Sequence, residues 1–218
     1  PAVLANLSGK TVYKMGIGGE TMYTIAARQG AINIVTKNDF TIPAGKTAVD
    51  IDFAAEDGGV IVPRNPSIGG WNPITIAGVE GWISVDSKRN TNTGMYELVS
   101  AQFTRNEAGE AINVAKGTKI VTDASELQAD VNVFLVGMNG GWTRANQALS
   151  TNNDPSGYVD TLNKMLEKIP GGKTDGKYVI IGITNDGNWS ALYQALQETY
   201  GEHFLDVKSY LASAQALS

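Results

Sequence analysis

Two glycine-rich segments carry the residue types from which an anion-stabilising site can be built. The first, Gly16-Ile17-Gly18-Gly19-Glu20-Thr21, stands where a β-like stretch ends and a helical pattern begins. Such a turn exposes backbone N–H groups and the positive end of a helix dipole, which suit a phosphate or an oxyanion. A tight turn whose glycines only satisfy positive φ is the plainer alternative. As a dinucleotide fingerprint the segment fails: the third glycine of G-x-G-x-x-G falls at Thr21, where close helix–strand packing needs glycine. The second segment, Val136-Gly137-Met138-Asn139-Gly140-Gly141-Trp142, follows an apolar run, so it lies past the carboxyl end of a strand, where open α/β sheets bind ligands. There the Asn139 amide is suited to face a developing negative charge, unless Asn139 is only a left-handed turn residue.

The rest of a catalytic apparatus is harder to find. Cysteine is absent and histidine occurs once, which excludes disulfides, thiolate metal sites and a cysteine nucleophile and leaves any imidazole chemistry to His203. Its setting, Tyr200-Gly201-Glu202-His203-Phe204-Leu205, predicts a structural residue at a strand edge. Trp71, Trp82 and Trp142 stand near polar residues and suit stacking on sugars, although burial is the more frequent fate of tryptophan. The carboxylate pairs Asp50 with Asp52 and Glu56 with Asp57 read as a solvated face rather than a metal site, and Thr184-Asn185-Asp186-Gly187 reads as a helix cap. Against 22 Asp+Glu stand 17 Lys+Arg, a net charge of −5, with no dense basic window, so nucleic acid is not an expected partner. No apolar run approaches the roughly 18 residues of a membrane span, and the start lacks the regions of a signal peptide.

Two compositions alternate along the 218 residues, 42% of them hydrophobic. Residues 1–30 and 130–218 read as α/β. Thr11 to Met15 predicts a strand, and Glu20 to Gln29, with Met22, Ile25 and Ala26 at helical spacing, predicts a helix closed by Gly30. Val131 to Val136 predicts a strand apolar on both faces. Asp154-Pro155 predicts an N-cap with proline in the first turn, opening a helix with Val159, Leu162, Leu166 and Ile169 on one side. Tyr178 to Ile183 predicts the next strand, and Trp189, Leu192, Leu196 and Tyr200 the next helical stripe. Phe204-Leu205 is a brief strand, after which Asp206 caps a last helix expected to turn Val207, Tyr210, Leu211 and Ala214 inward. Strands alternating with helices predict a parallel sheet with right-handed crossovers. Between the flanks, residues 31–129 alternate in short stretches broken by Gly, Pro, Asn and Asp, an all-β pattern read as an inserted subdomain.

Gly-rich turn, Asn block and apolar strands together resemble the SGNH (GDSL-like) hydrolase family. Gly19-Glu20-Thr21 is similar to the family's Gly-Asp-Thr-like stretch, and Gly137-Met138-Asn139 to its G-x-N block. The resemblance implies an α/β fold, a parallel sheet with flanking helices interrupted by the β-rich insertion, and serine acyl transfer with no cofactor or metal. It makes Gly19 the backbone donor and Asn139 the side-chain donor of an oxyanion hole, with Gly18, Gly137 and Trp142 near the substrate. By likeness to esterase modules of phage tail spikes it implies a carbohydrate O-acetylesterase acting on an acetylated glycan or other ester, in an extracellular or virion-associated protein that can be a homo-oligomer within a larger assembly. The chain departs from the family at two points: it has no Gly-Asp-Ser, since Val85-Asp86-Ser87 follows the Gly-rich turn in the wrong order, and no Asp-x-x-His. Both blocks are expected outside this chain, which starts at Pro1. A non-catalytic glycan-binding or structural module of a surface protein is the rival reading, and nucleotide binding at residues 16–21 a third.

Overall fold

The computed structural model describes residues 2–143 and 154–213. The amino-terminal part forms α1 (Ala2–Ser8) and α2 (Met22–Arg28). The middle forms β1 (Ile34–Thr36), β2 (Phe40–Ile42), β3 (Val49–Asp50), β4 (Phe53–Ala55), β5 (Ile74–Ile76), β6 (Val79–Arg89), β7 (Tyr96–Arg105), β8 (Ile112–Val114), β9 (Lys119–Thr122) and the short α3 (Asp123–Glu126). The carboxyl-terminal part forms β10 (Asn132–Phe134), α4 (Pro155–Leu166), α5 (Gly172–Asp175), β11 (Tyr178–Ile181), α6 (Ser190–Tyr200), β12 (Phe204–Leu205) and α7 (Val207–Ala212).

The largest sheet has seven strands in the order β3-β7-β6-β5-β9-β1-β4, paired antiparallel throughout. Strands β2 and β8 form a separate antiparallel pair, and β10, β11 and β12 a parallel sheet in chain order. The molecule is therefore mostly antiparallel β, which corrects the expected α/β fold with one parallel sheet between flanking helices. Two local facts account for the difference. Residues 11–15, expected as the opening strand, run without strand pairing, and the three parallel strands are only 3, 4 and 2 residues long. The segment read as an insertion into a parallel sheet thus builds the dominant sheet itself.

Local signals act where they were strong. Thr21 caps α2, its side chain accepting from the Thr24 N–H, and Gly30 follows with φ +79°. Asp154 caps α4 by accepting from the Gly157 N–H, with Pro155 in the first turn. Helix α4 buries Leu162 and Leu166 as its spacing predicts, together with Tyr158 and Met165. Helix α7 does carry its Asp206 cap, yet Tyr210 and Leu211 are exposed, so its apolar side faces outward rather than inward; Ala214 lies outside the described residues. The buried side chains form one contiguous cluster, to which Phe103 and Ile76 of the antiparallel sheet and Phe134 and Ile180 of the parallel sheet both belong.

Candidate functional site

The turn before α2 and the loop after β10 meet. The Asn139 side chain donates from Nδ2 to the Glu20 carbonyl at 3.1 Å. In the opposite direction, the Met22 and Tyr23 N–H groups donate to the carbonyls of Gly140 and Gly141 at 2.9 and 2.8 Å. A Cβ on Gly141, which has φ +66°, would lie 2.5 Å from the Thr21 side chain, so the approach of the two loops requires glycine there. These bonds consume the first N–H groups of α2, and Thr21 Oγ1 takes that of Thr24 at 3.3 Å. A phosphate at the start of this helix would find the donors of its first turn already engaged.

A buried ion pair holds the turn. Glu20 is 2% exposed and Arg28 likewise 2%. Glu20 Oε2 accepts from Arg28 Nε at 3.1 Å and Nη2 at 2.7 Å, while its Oε1 accepts from the Trp71 indole at 2.6 Å. Arg28 Nη1 donates to the Gly69 carbonyl. Both carboxylate oxygens and the guanidinium edge are matched, the condition under which a buried ion pair is tolerated. The contacts run from the flank to the β-rich middle, because Gly69 and Trp71 precede β5. Gly19, the residue before Glu20, has φ +84°, and its N–H donates to no described residue. Arg64, also from the middle segment, reaches the same turn: a Cβ on Gly19 would sit 3.3 Å from its Nε.

Of the expected site residues, Gly19 and Asn139 are thus brought to one place, Gly19 half-buried and Asn139 exposed, with Gly18 open beside them. Trp142 is not presented to a substrate. It is 2% exposed, its indole donates to the Gly137 carbonyl at 3.0 Å, and its ring meets Tyr158 edge-on at 5.1 Å, which corrects the expected sugar contact. Gly137 is buried under the same Tyr158, whose hydroxyl donates to the Val136 carbonyl at 3.1 Å and whose burial pushes the phenol above its ordinary value. Trp71 is likewise core, and Trp82 is exposed.

His203 stacks on Tyr178 at 4.2 Å, and its Nδ1 lies 3.0 Å from the Tyr178 carbonyl, as donor in the tautomer protonated there. Tyr178 opens β11, whereas the site lies past the carboxyl ends of the parallel strands; at about 3.3 Å per residue the 4 residues of β11 hold the two ends roughly 10 Å apart, well beyond hydrogen-bond reach. His203 cannot serve as base at this site. Asn185 and Asp186 do not cap α6, whose N-cap is Trp189. Asn185 instead donates to the Met138 carbonyl at 3.4 Å, joining the loops after β10 and β11, and its Oδ1 is buried without a partner among the described residues. Among the carboxylates, Asp52 pairs with Lys37 at 2.8 Å and Asp50 accepts from Gln102 at 2.8 Å. No cluster of three or more His, Cys, Asp or Glu among the described residues is placed to hold a metal ion. A cavity of about 150 Å³ lined by Ala27, Gly30, Lys119 and Lys168 lies at the opposite end of α2 from these loops. Among the described residues no helix is long and apolar enough to cross a membrane. Comparison of the chain with protein-family models, with curated proteins and with solved structures finds no match.

Sequence reasoning missed Glu20, Arg28, Trp71 and Arg64 as parts of one locus. Glu20 and Arg28 are eight residues apart, a spacing one helix face allows, but Trp71 stands another 43 beyond, a separation that no helical or strand period links. The only available signal was chemical: a buried tryptophan needs an acceptor for its N–H.

Proposed function

We propose that this chain contributes the oxyanion hole of a serine carboxylic-ester hydrolase, with an O-acetylated glycan as its substrate class. The observation that carries the reading is the 3.1 Å bond from the Asn139 amide to the Glu20 carbonyl, one residue from the Gly19 N–H. Attack on an acyl carbonyl places negative charge on its oxygen, and catalysis gains when donors already point there before the charge appears. One N–H of Asn139 is held by Glu20, which orients the amide and leaves its second N–H for the acyl oxygen. Gly19 supplies the other donor. The Glu20–Arg28–Trp71 network stiffens the turn that carries it, so little reorganisation accompanies the reaction. Gly18 leaves the approach to Gly19 open.

The reading requires a nucleophilic serine and a base that are not among these residues in usable form, since His203 is held at the far end of β11. That same observation favours the second reading, a glycan-binding or structural module of an extracellular or virion-associated protein with no turnover. One experiment separates them. In a longer natural chain carrying a Gly-Asp-Ser before residue 1 and an Asp-x-x-His after residue 218, Asn139→Ala is expected to lower kcat for p-nitrophenyl acetate by about a hundredfold or more with the fold intact. Unaltered hydrolysis removes Asn139 from the site. A longer chain that has neither block and no activity supports the binding module.

A further inference from the structure

We propose that Arg64 is an anion-recognition residue beside this site, so that the ester substrate is carried by a sugar bearing a carboxylate, of the hexuronate class. The substrate half of the proposal rests on the hydrolase reading above; the anion site does not.

Among the described residues, three arginines with buried or half-buried side chains differ in how they are used. Arg28 holds Glu20 with two of its nitrogens and a carbonyl with the third. Arg105 donates to the carbonyls of Glu107, Pro43 and Glu110 at 2.6, 2.9 and 2.8 Å. Arg64 donates only from Nη1 to Ser87 Oγ, at 2.7 Å, and pairs with no carboxylate among the described residues. Its Nε is buried without an acceptor among the described residues. A guanidinium N–H taken out of water without an acceptor is costly, and on this half-buried side chain the cost is incurred next to Gly19.

The group is nonetheless held in place. Its central carbon lies 3.2 Å from the centroid of the Tyr96 ring, which fixes the plane of the guanidinium through a cation–π contact. Ser87 fixes one corner. Tyr96 and Ser87 come from the paired strands β7 and β6, so the antiparallel sheet presents the cation. What is left is a planar fork with uncommitted N–H groups, the shape that binds a carboxylate through two parallel bonds. Because Arg64 Nε is 3.3 Å from where a Gly19 Cβ would be, an anion on this fork and an acyl group at the Gly19 N–H fit on one sugar ring. A neutral acetylated sugar would leave the cation unmatched.

The test uses glucuronate and glucose as probes of this chain labelled with ¹⁵N. Glucuronate is expected to shift the Arg64 Nε–H and Gly19 amide signals in a saturable way, and glucose to leave them in place. Arg64→Gln should weaken glucuronate binding about tenfold or more, the scale of a hydrogen bond to a charged group, and Arg64→Lys should retain part of it as a point charge. Equal response to both sugars, or binding unchanged in Arg64→Gln, overturns the proposal. The catalytic arm compares acetylated glucuronate with acetylated glucose in the longer, active chain. A preference of about tenfold in kcat/KM that falls toward one in Arg64→Gln supports the substrate class, and no preference overturns it. Glucuronate binding through Arg64 in a protein that hydrolyses no ester would sink the hydrolase reading and leave the anion site standing.

Discussion

In the antiparallel hairpin of β6 and β7, Ile83, Ala101 and Phe103 are buried while Ser84, Asp86 and Gln102 face solvent. In the parallel sheet the strand around β10 is apolar on both faces and only one is covered: Phe134 and Val136 are buried, whereas Val131, Val133 and Leu135 are 51%, 55% and 46% exposed. Parallel strands of this composition are normally covered on both sides. The antiparallel sheet has therefore satisfied its own pattern, while the parallel sheet borrows its one buried face from the common core. Glu20 and Arg28 tie the turn before α2 to the Gly69–Trp71 segment ahead of β5, and the loop after β10 bonds to that same turn, so the two regions are joined through it.

Cutting that tie is the strongest way to break the comparison. Glu20→Ala leaves the Arg28 guanidinium buried without its counter-charge and the Trp71 indole without its acceptor, and about 3–5 kcal/mol of stability should be lost. Urea unfolding measures the loss, and hydrogen exchange shows where it falls. With one shared core, amides of β7 and of β11 lose protection together. If only β11 opens while β7 keeps its protection, the two sheets are separate cooperative units and the shared core is nominal.

How much of this was legible follows the range of each signal. The Asp154-Pro155 cap, the helix closed by Gly30 and the alternation of the middle segment are contacts within a few residues, and each is found in the structure, with the alternating strands β6 and β7 longer than the stretches that announce them. The size of the parallel sheet was not legible, because the apolar run at 131–136 says that a strand prefers cover and nothing about how many neighbours it finds. Residues 11–15 show the same limit, as an alternating pentapeptide becomes a strand only beside a partner. At the site, Gly19 and Asn139 are singled out in the sequence by their resemblance to two family blocks, and what the structure adds is that their two loops meet. Trp142 could not be assigned, since a tryptophan beside an Asn block looks the same whether it faces a sugar or Tyr158. Arg64 lies in a loop with no periodicity at all, and its use is set by Ser87 and Tyr96, distant in sequence.

A smaller effect tests how firmly the parallel region's main helix is seated. The Asp154 carboxyl lies below its ordinary value of 3.8, first because the Ser156 hydroxyl donates to it and then because the Gly157 N–H does. A depressed carboxyl contributes stability that is present above its unfolded value and disappears as pH falls through its folded one. Asp154→Ala should therefore cost about 1 kcal/mol at neutral pH, the usual worth of an N-cap. The gap between variant and parent in urea midpoints should close below pH 3.8. A gap that stays constant down to pH 2 would mean that the side chain acts through packing rather than as an ionised cap.

The smallest expected change probes the bare face itself. Val133 is 55% exposed on β10, so Val133→Lys should alter the stability of this chain by no more than about 0.5 kcal/mol, while the equivalent change at buried Phe134 would place a charge in the core. The same substitution in a longer natural chain sharpens the comparison. If added sequence covers this face, burying a lysine there should cost several times more, and the difference between the two chains reads out the cover directly. Equal, near-zero effects in both would mean that the parallel sheet keeps one apolar face in water, and that its borrowed half of the core is all it has.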